Sequence, residues 1–72
     1  MTDDELRKYH SFFSELWKFF KAHNRAEDSD WEKLIKDADE LCLQHRFKSD
    51  MAAVMCKGVM DEIEALWREG RG

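Results

Sequence analysis

A chain of 72 residues with 43% apolar, 39% charged and no proline has the composition of one soluble domain with a core near the lower limit for independent folding. Such a chain buries only about 60% of its unfolded surface, which disfavours a two-domain protein, a large enzyme or a site needing a deep pocket behind a complete core. A net charge of -4 is the opposite of the basic footprint of a sequence-independent nucleic-acid binder, so direct nucleic-acid binding is not expected.

Thr2-Asp3-Asp4-Glu5 has the spacing of a capping box, in which the Thr2 hydroxyl takes the Glu5 amide and the Glu5 carboxylate reaches back to the Thr2 amide. A first helix over about 3–23 follows from it. Leu6, Tyr9, Phe12, Phe13, Leu16, Trp17, Phe19 and Phe20 keep helical spacing, Lys18, Lys21 and His23 suit the negative end of the dipole, and Asn24 is a natural left-handed stop. The acidic start is unlike a secretory or mitochondrial targeting segment.

The polar stretch His23 to Ser29 reads as a loop. Ser29-Asp30-Trp31-Glu32 repeats the capping-box spacing and opens a second helix over about 30–46, with Trp31, Leu34, Ile35, Ala38, Leu41, Cys42 and His45 as its buried stripe. Phe47 is expected to fold back onto the core across a short connection, and Ser49 or Asp50 to cap a third helix over about 50–69. That helix would pack through Ala52, Met55, Cys56, Val59, Met60, Ile63, Leu66 and Trp67, with Gly70-Arg71-Gly72 as a frayed tail. Short connections make successive helices antiparallel neighbours, so the expected architecture is all-α, an up-down-up three-helix bundle in a single domain over 1–72. The longest unbroken apolar run, Met51 to Cys56, is too short to span a bilayer, and a cytoplasmic chain with Cys42 and Cys56 as free thiols is expected.

The apolar positions of the first helix fan over about 160°, wider than the roughly 100° a core stripe requires. Trp17 and Phe19 lie at the two edges of that fan. On the third helix Met51 and Val54 leave the core stripe on the side where Gly58 removes a side chain, and Leu43 leaves the stripe of the second helix. A glycine inside a helix costs about 1 kcal/mol relative to alanine, which suggests close approach by another backbone at Gly58. Leu43, Met51, Val54, Gly58, Trp17 and Phe19 are therefore the candidate partner-binding residues. The bland alternative is scattered exposed hydrophobes of the kind any small bundle carries.

Catalytic chemistry is not expected. Cys42 and His45 share a helical face with Cys56 central on the next helix, but a nucleophilic site also needs an oxyanion site and a cleft, which nothing in the sequence supplies. A zinc site from the same three residues lacks a second close ligand pair, so no metal and no cofactor are expected, and buried cysteines beside a histidine is the preferred reading. His10 and His23 read as surface residues. Glu27, Asp28, Asp30, Asp37, Asp39 and Glu40 form the densest acidic zone, interrupted by Lys33 and Lys36 at salt-bridge spacing. A solvated helix face explains it, and an acidic surface that occupies the basic groove of a nucleic-acid-handling protein is the functional alternative.

The segments Phe12-Phe13-Ser14-Glu15-Leu16-Trp17-Lys18-Phe19-Phe20-Lys21 and Asp30-Trp31-Glu32-Lys33-Leu34-Ile35-Lys36-Asp37-Ala38-Asp39-Glu40-Leu41 resemble short uncharacterised helical proteins of phages and integrative elements of Gram-positive bacteria. The resemblance covers about a third of the chain and carries helix and core residues, with no catalytic signature. It implies a genetic setting in which very small acidic proteins bind a host or element protein, inhibitors of host defence of the anti-CRISPR kind among them. The expectation is a non-enzymatic protein–protein interaction module with no membrane association. A self-associating scaffold protein acting as a homodimer and a small zinc-binding helical protein are the alternatives.

Overall fold

The computed structural model describes residues 1–70, which form three α-helices and a short 3₁₀ turn, with no strand among them. Helix α1 spans Asp3–His23, the 3₁₀ turn Ala26–Asp28, helix α2 Trp31–Gln44 and helix α3 Met51–Gly70. The all-α expectation therefore holds, and each helix lies within two residues of its expected bounds.

The caps differ in detail from the expected ones. Thr2 does accept the Glu5 amide at 3.2 Å, but the Glu5 carboxylate takes the Thr2 hydroxyl at 3.3 Å instead of the Thr2 amide. At α2 the capping residue is Asp30, whose carboxylate accepts the Lys33 amide at 3.1 Å, and not Ser29. Asn24 stops α1 without the left-handed backbone expected of it: its φ of -77° is right-handed, and its side-chain amide donates to the Phe20 and Lys21 carbonyls at 3.0 and 2.9 Å. Those carbonyls have no partner inside the helix, so a side chain supplies what a left-handed turn would have supplied. At α3 the Asp50 carbonyl accepts the Val54 amide at 3.0 Å.

Helix α2 ends at Gln44, short of the expected boundary at 46. His45 turns extended, with φ -119° and ψ 108°, so that its ring leaves the helical stripe and meets Glu15 of α1 at 2.7 Å. Phe47 folds back as expected, stacking on Tyr9 at 4.6 Å between centroids and meeting the edge of Phe12 at 5.3 Å. At the other end α3 continues through Gly70, where an added Cβ would collide with the Ala26 side chain. The expected frayed tail is thus corrected at Gly70, and its remaining residues, Arg71 and Gly72, lie outside the described residues.

The core takes Phe12, Leu16 and Phe19 from α1, Leu34, Ala38 and Leu41 from α2, and Ala52, Cys56, Ile63 and Trp67 from α3. Several residues expected inside are not. Trp31 and Ile35 are exposed, and Cys42 and His45 are half-buried. His23, expected at the surface, is only 4% exposed and joins the three helices at one end. Its Nε2 lies 2.8 Å from an Asp37 carboxylate oxygen of α2, and its backbone carbonyl accepts the Trp67 indole N–H of α3 at 2.7 Å. A buried polar ring is tolerable only with such partners, because an unpaired one would lose its hydration without return.

Two histidine–carboxylate bridges therefore join α1 to the α2 region, His23 with Asp37 and Glu15 with His45. The four residues lie eight apart on each segment and pair in reverse order. The molecule is elongated, with a radius of gyration of 13.3 Å against about 11 Å for a compact chain of this length, so much helix surface stays outside the core.

Candidate functional site

The outward face of α1 follows from where its core stripe falls. Phe12, Leu16, Phe19 and His23 recur at intervals of four, three and four, which confines them to a roughly 60° arc at 100° per residue. Leu6, Phe13, Trp17 and Phe20 follow the same kind of spacing but lie roughly 100° round the helix, beside the core. Leu6, Phe13 and Trp17 are accordingly exposed, Trp17 at 59% and Phe13 at 46%, and Phe20 packs only partly against the core.

At the seam with α3 these side chains form an open groove. Phe13, Leu16, Trp17 and Phe20 of α1 line it together with Val59 of α3, around a cavity of about 290 Å³. Trp17 and Phe20 stack with centroids 6.1 Å apart and planes 17° from parallel, and Lys21 Nζ lies 5.9 Å from the Trp17 ring centroid, within cation–π reach. The walls are aromatic and aliphatic, and no titratable side chain lines the groove. Acid–base or nucleophilic work has no group to perform it there. An apolar side chain from another protein would find aromatic walls on one side and a β-branched residue on the other.

The six residues marked in the sequence do not form one surface. Trp17 lies in the groove. Phe19 is 7% exposed and packed in the core, so it is unavailable to a partner, which corrects its place among the binding candidates. Met51 is half-buried and packs against the core. Val54 is exposed but roughly 140° round α3 from Val59, and Gly58 roughly 100° from it, so both point away from the groove. Leu43 is exposed in a separate cleft, where it faces Arg7, Lys8 and Ser11 of α1. Phe13, Phe20 and Val59 belong to the groove, although spacing alone assigns all three to core stripes.

Of the acidic zone, Glu27, Asp28, Asp30, Asp39 and Glu40 are exposed. Asp37 is half-buried and holds His23, which gives it a structural task. The residues of the zinc alternative are not gathered into a ligand set. His45 turns its Nε2 to Glu15, the Cys42 thiol points at the Ala52 carbonyl at 3.8 Å, and among the described residues no group of three His, Cys, Asp or Glu side chains could hold a metal ion. Cys42 and Cys56 are free thiols. Burial first, then the neighbouring Cys42 thiol, pushes the Cys56 thiol up to about 12.

Fold and groove together define a small all-helical domain that carries an apolar inter-helix groove. No family model matches the chain, and neither a curated protein nor a solved structure matches it. Among the described residues no helix is long and apolar enough to cross a membrane.

Proposed function

We propose that the chain is a protein–protein interaction module that works without catalysis, binding an apolar element of its partner in the groove between α1 and α3. The observation that carries this reading is the aromatic pair Trp17 and Phe13, 59% and 46% exposed beside Phe20 and Val59. An exposed tryptophan costs solubility, whereas at an interface it supplies large, rigid contact area with little rotamer entropy to lose.

The reading includes an up-down-up order of the three helices. His23 paired with Asp37 and Glu15 with His45 favours opposite directions for α1 and α2, and the His23 carbonyl on Trp67 favours a common direction for α1 and α3. In that arrangement the α1–α2 seam carries titratable side chains, among them Glu15, His23, Asp37 and Glu40, while the α1–α3 seam keeps aromatic residues exposed. The resemblance to small proteins of phages and integrative elements extends the proposal to a cytoplasmic, stoichiometric inhibitor of a host defence protein. The exposed carboxylates Glu27, Asp28, Asp30, Asp39 and Glu40 would then face a basic surface of a nucleic-acid-handling partner.

Affinity capture from extracts of the native host, with Trp17→Asp as the control, tests the proposal. Recovery of a specific protein by the wild type and its loss with the folded variant is expected, and recovery of no specific protein would overturn it. A homodimer through the same groove is the second reading, favoured by the small core that a second copy would extend. Light scattering separates the two, since a monomer at high micromolar concentration leaves only the heterologous partner.

A further inference from the structure

The Cys42 thiol of α2 rests against the turn of α3 that carries Cys56, and the two thiols have unequal access to solvent. Cys56 is 2% exposed, on the core face of α3 one turn after Ala52. Cys42 is half-buried in the last turn of α2, with its Sγ 3.8 Å from the Ala52 carbonyl, and it opens into a groove of about 270 Å³ that Arg46, His45, Phe47, Asp50 and Ala53 also line. One thiol can thus be reached from outside, and the second is buried one helical turn beyond the carbonyl that the first one touches.

We propose that Cys42 is a modification site for small anionic disulfides of the glutathione disulfide class, and that Cys56 resolves the adduct into an intramolecular Cys42–Cys56 disulfide. In the first step the Cys42 thiolate attacks one sulfur of glutathione disulfide. The S–S bond breaks, and one glutathione leaves as a thiolate that takes up the proton given up by Cys42. In the second step the Cys56 sulfur attacks the Cys42 sulfur of the mixed disulfide and expels the second glutathione, which takes the Cys56 proton. The two thiols together lose two electrons and two protons, and one glutathione disulfide becomes two glutathiones.

Arg46 at the groove offers a positive charge to the carboxylates of such a molecule, and His45, held by Glu15, lines the same opening. Burial keeps Cys56 protonated and inert toward outside reagents, which assigns first attack to Cys42. The resulting bond would tie the end of α2 to the start of α3 across the connection at 45–50, and reductant would release it.

The test is incubation of the folded full chain with glutathione disulfide, followed by intact-mass and peptide mapping without reductant. The wild type is expected to pass through one glutathione adduct at Cys42 and to end as a monomer lighter by two hydrogens, with Cys42 joined to Cys56 and a higher Tm. Cys56→Ala should stop at the Cys42 adduct, and Cys42→Ser should stay unmodified while folded. A wild type that ends as a stable adduct, as a disulfide-linked dimer or unmodified overturns the proposal, as does modification of Cys42→Ser at the wild-type rate.

Discussion

Gly58 is the residue at which stability and binding are expected to part company. It sits inside α3, and a Cβ built on it meets nothing within 4 Å. Substitution by alanine therefore adds no clash and removes the conformational freedom that glycine retains in the unfolded chain. The gain expected for an open mid-helix position is about 1 kcal/mol. For a domain of this length that raises the Tm by about 4–8 °C. Thermal unfolding followed by far-UV circular dichroism, with urea titration as a second measure, reads the effect. Gly70 is the internal contrast, because its added Cβ would overlap the Ala26 side chain, so Gly70→Ala should lower the Tm. A Gly58→Ala protein no more stable than wild type would refute the reasoning, since some constraint absent from the folded monomer would then act at Gly58. Because Gly58 points away from the groove, the same substitution should leave partner capture intact.

Three further expectations concern the polar ties between helices. Trp67→Phe removes the indole N–H that the buried His23 carbonyl accepts at 2.7 Å, and should cost about 2 kcal/mol in urea unfolding. Asp37→Ala leaves the His23 ring, 4% exposed, without its carboxylate, and should cost about 1–3 kcal/mol by the same assay, whereas Asp39→Ala on the exposed side should cost little. Cys56 sets an alkaline limit. Its thiol value rises from 9.0 to about 12 in the fold, so the folded chain keeps a proton that the unfolded chain releases. Its contribution to stability is full below about pH 9 and is lost as the pH climbs toward about 12. Unfolding curves across that window should fall less steeply for Cys56→Ala than for the wild type, and equal slopes would contradict this.

The helices were legible in the sequence because caps and apolar spacing act locally. Thr2, the segment Ser29-Asp30-Trp31-Glu32 and the 3.6-residue period mark α1 and α2 without any knowledge of neighbours, although the cap of α2 falls on Asp30 and not on Ser29. What was hidden depended on partners distant in the chain. His45 fits the stripe of α2 by spacing, yet Glu15, thirty residues earlier, draws its ring away, and α2 ends before it. His23 looked like a surface cation at a helix end because its two partners, Asp37 and Trp67, lie on other helices. The place of His23 also decides which aromatic residues of α1 are exposed. With His23 counted as a core position, the stripe of α1 centres on Phe12, Leu16, Phe19 and His23, which places Phe19 inside and leaves Phe13 beside Trp17 in the open. The sequence does hold a signal for this, in the equal eight-residue spacing of Glu15 and His23 on one segment and Asp37 and His45 on the next.

The surplus of aromatic surface was visible, but not its location. Met51, Val54 and Gly58 share only that they leave the core stripe of α3, a criterion that gathers everything off one face. Exposure alone does not make a surface. Val59 marks the groove because it lines it together with Phe13, Trp17 and Phe20, a fact about the packing of α1 on α3 that neither helix contains alone.

The measurement that bears most directly on the groove as a binding surface is a titration of the captured partner with wild type and Trp17→Asp, each first shown to be folded and equally stable. A central tryptophan in an interface contributes about 2 kcal/mol or more, so the substitution should weaken binding by about 30-fold or more. Equal affinity for the two proteins would place the partner elsewhere on the molecule and contradict the account.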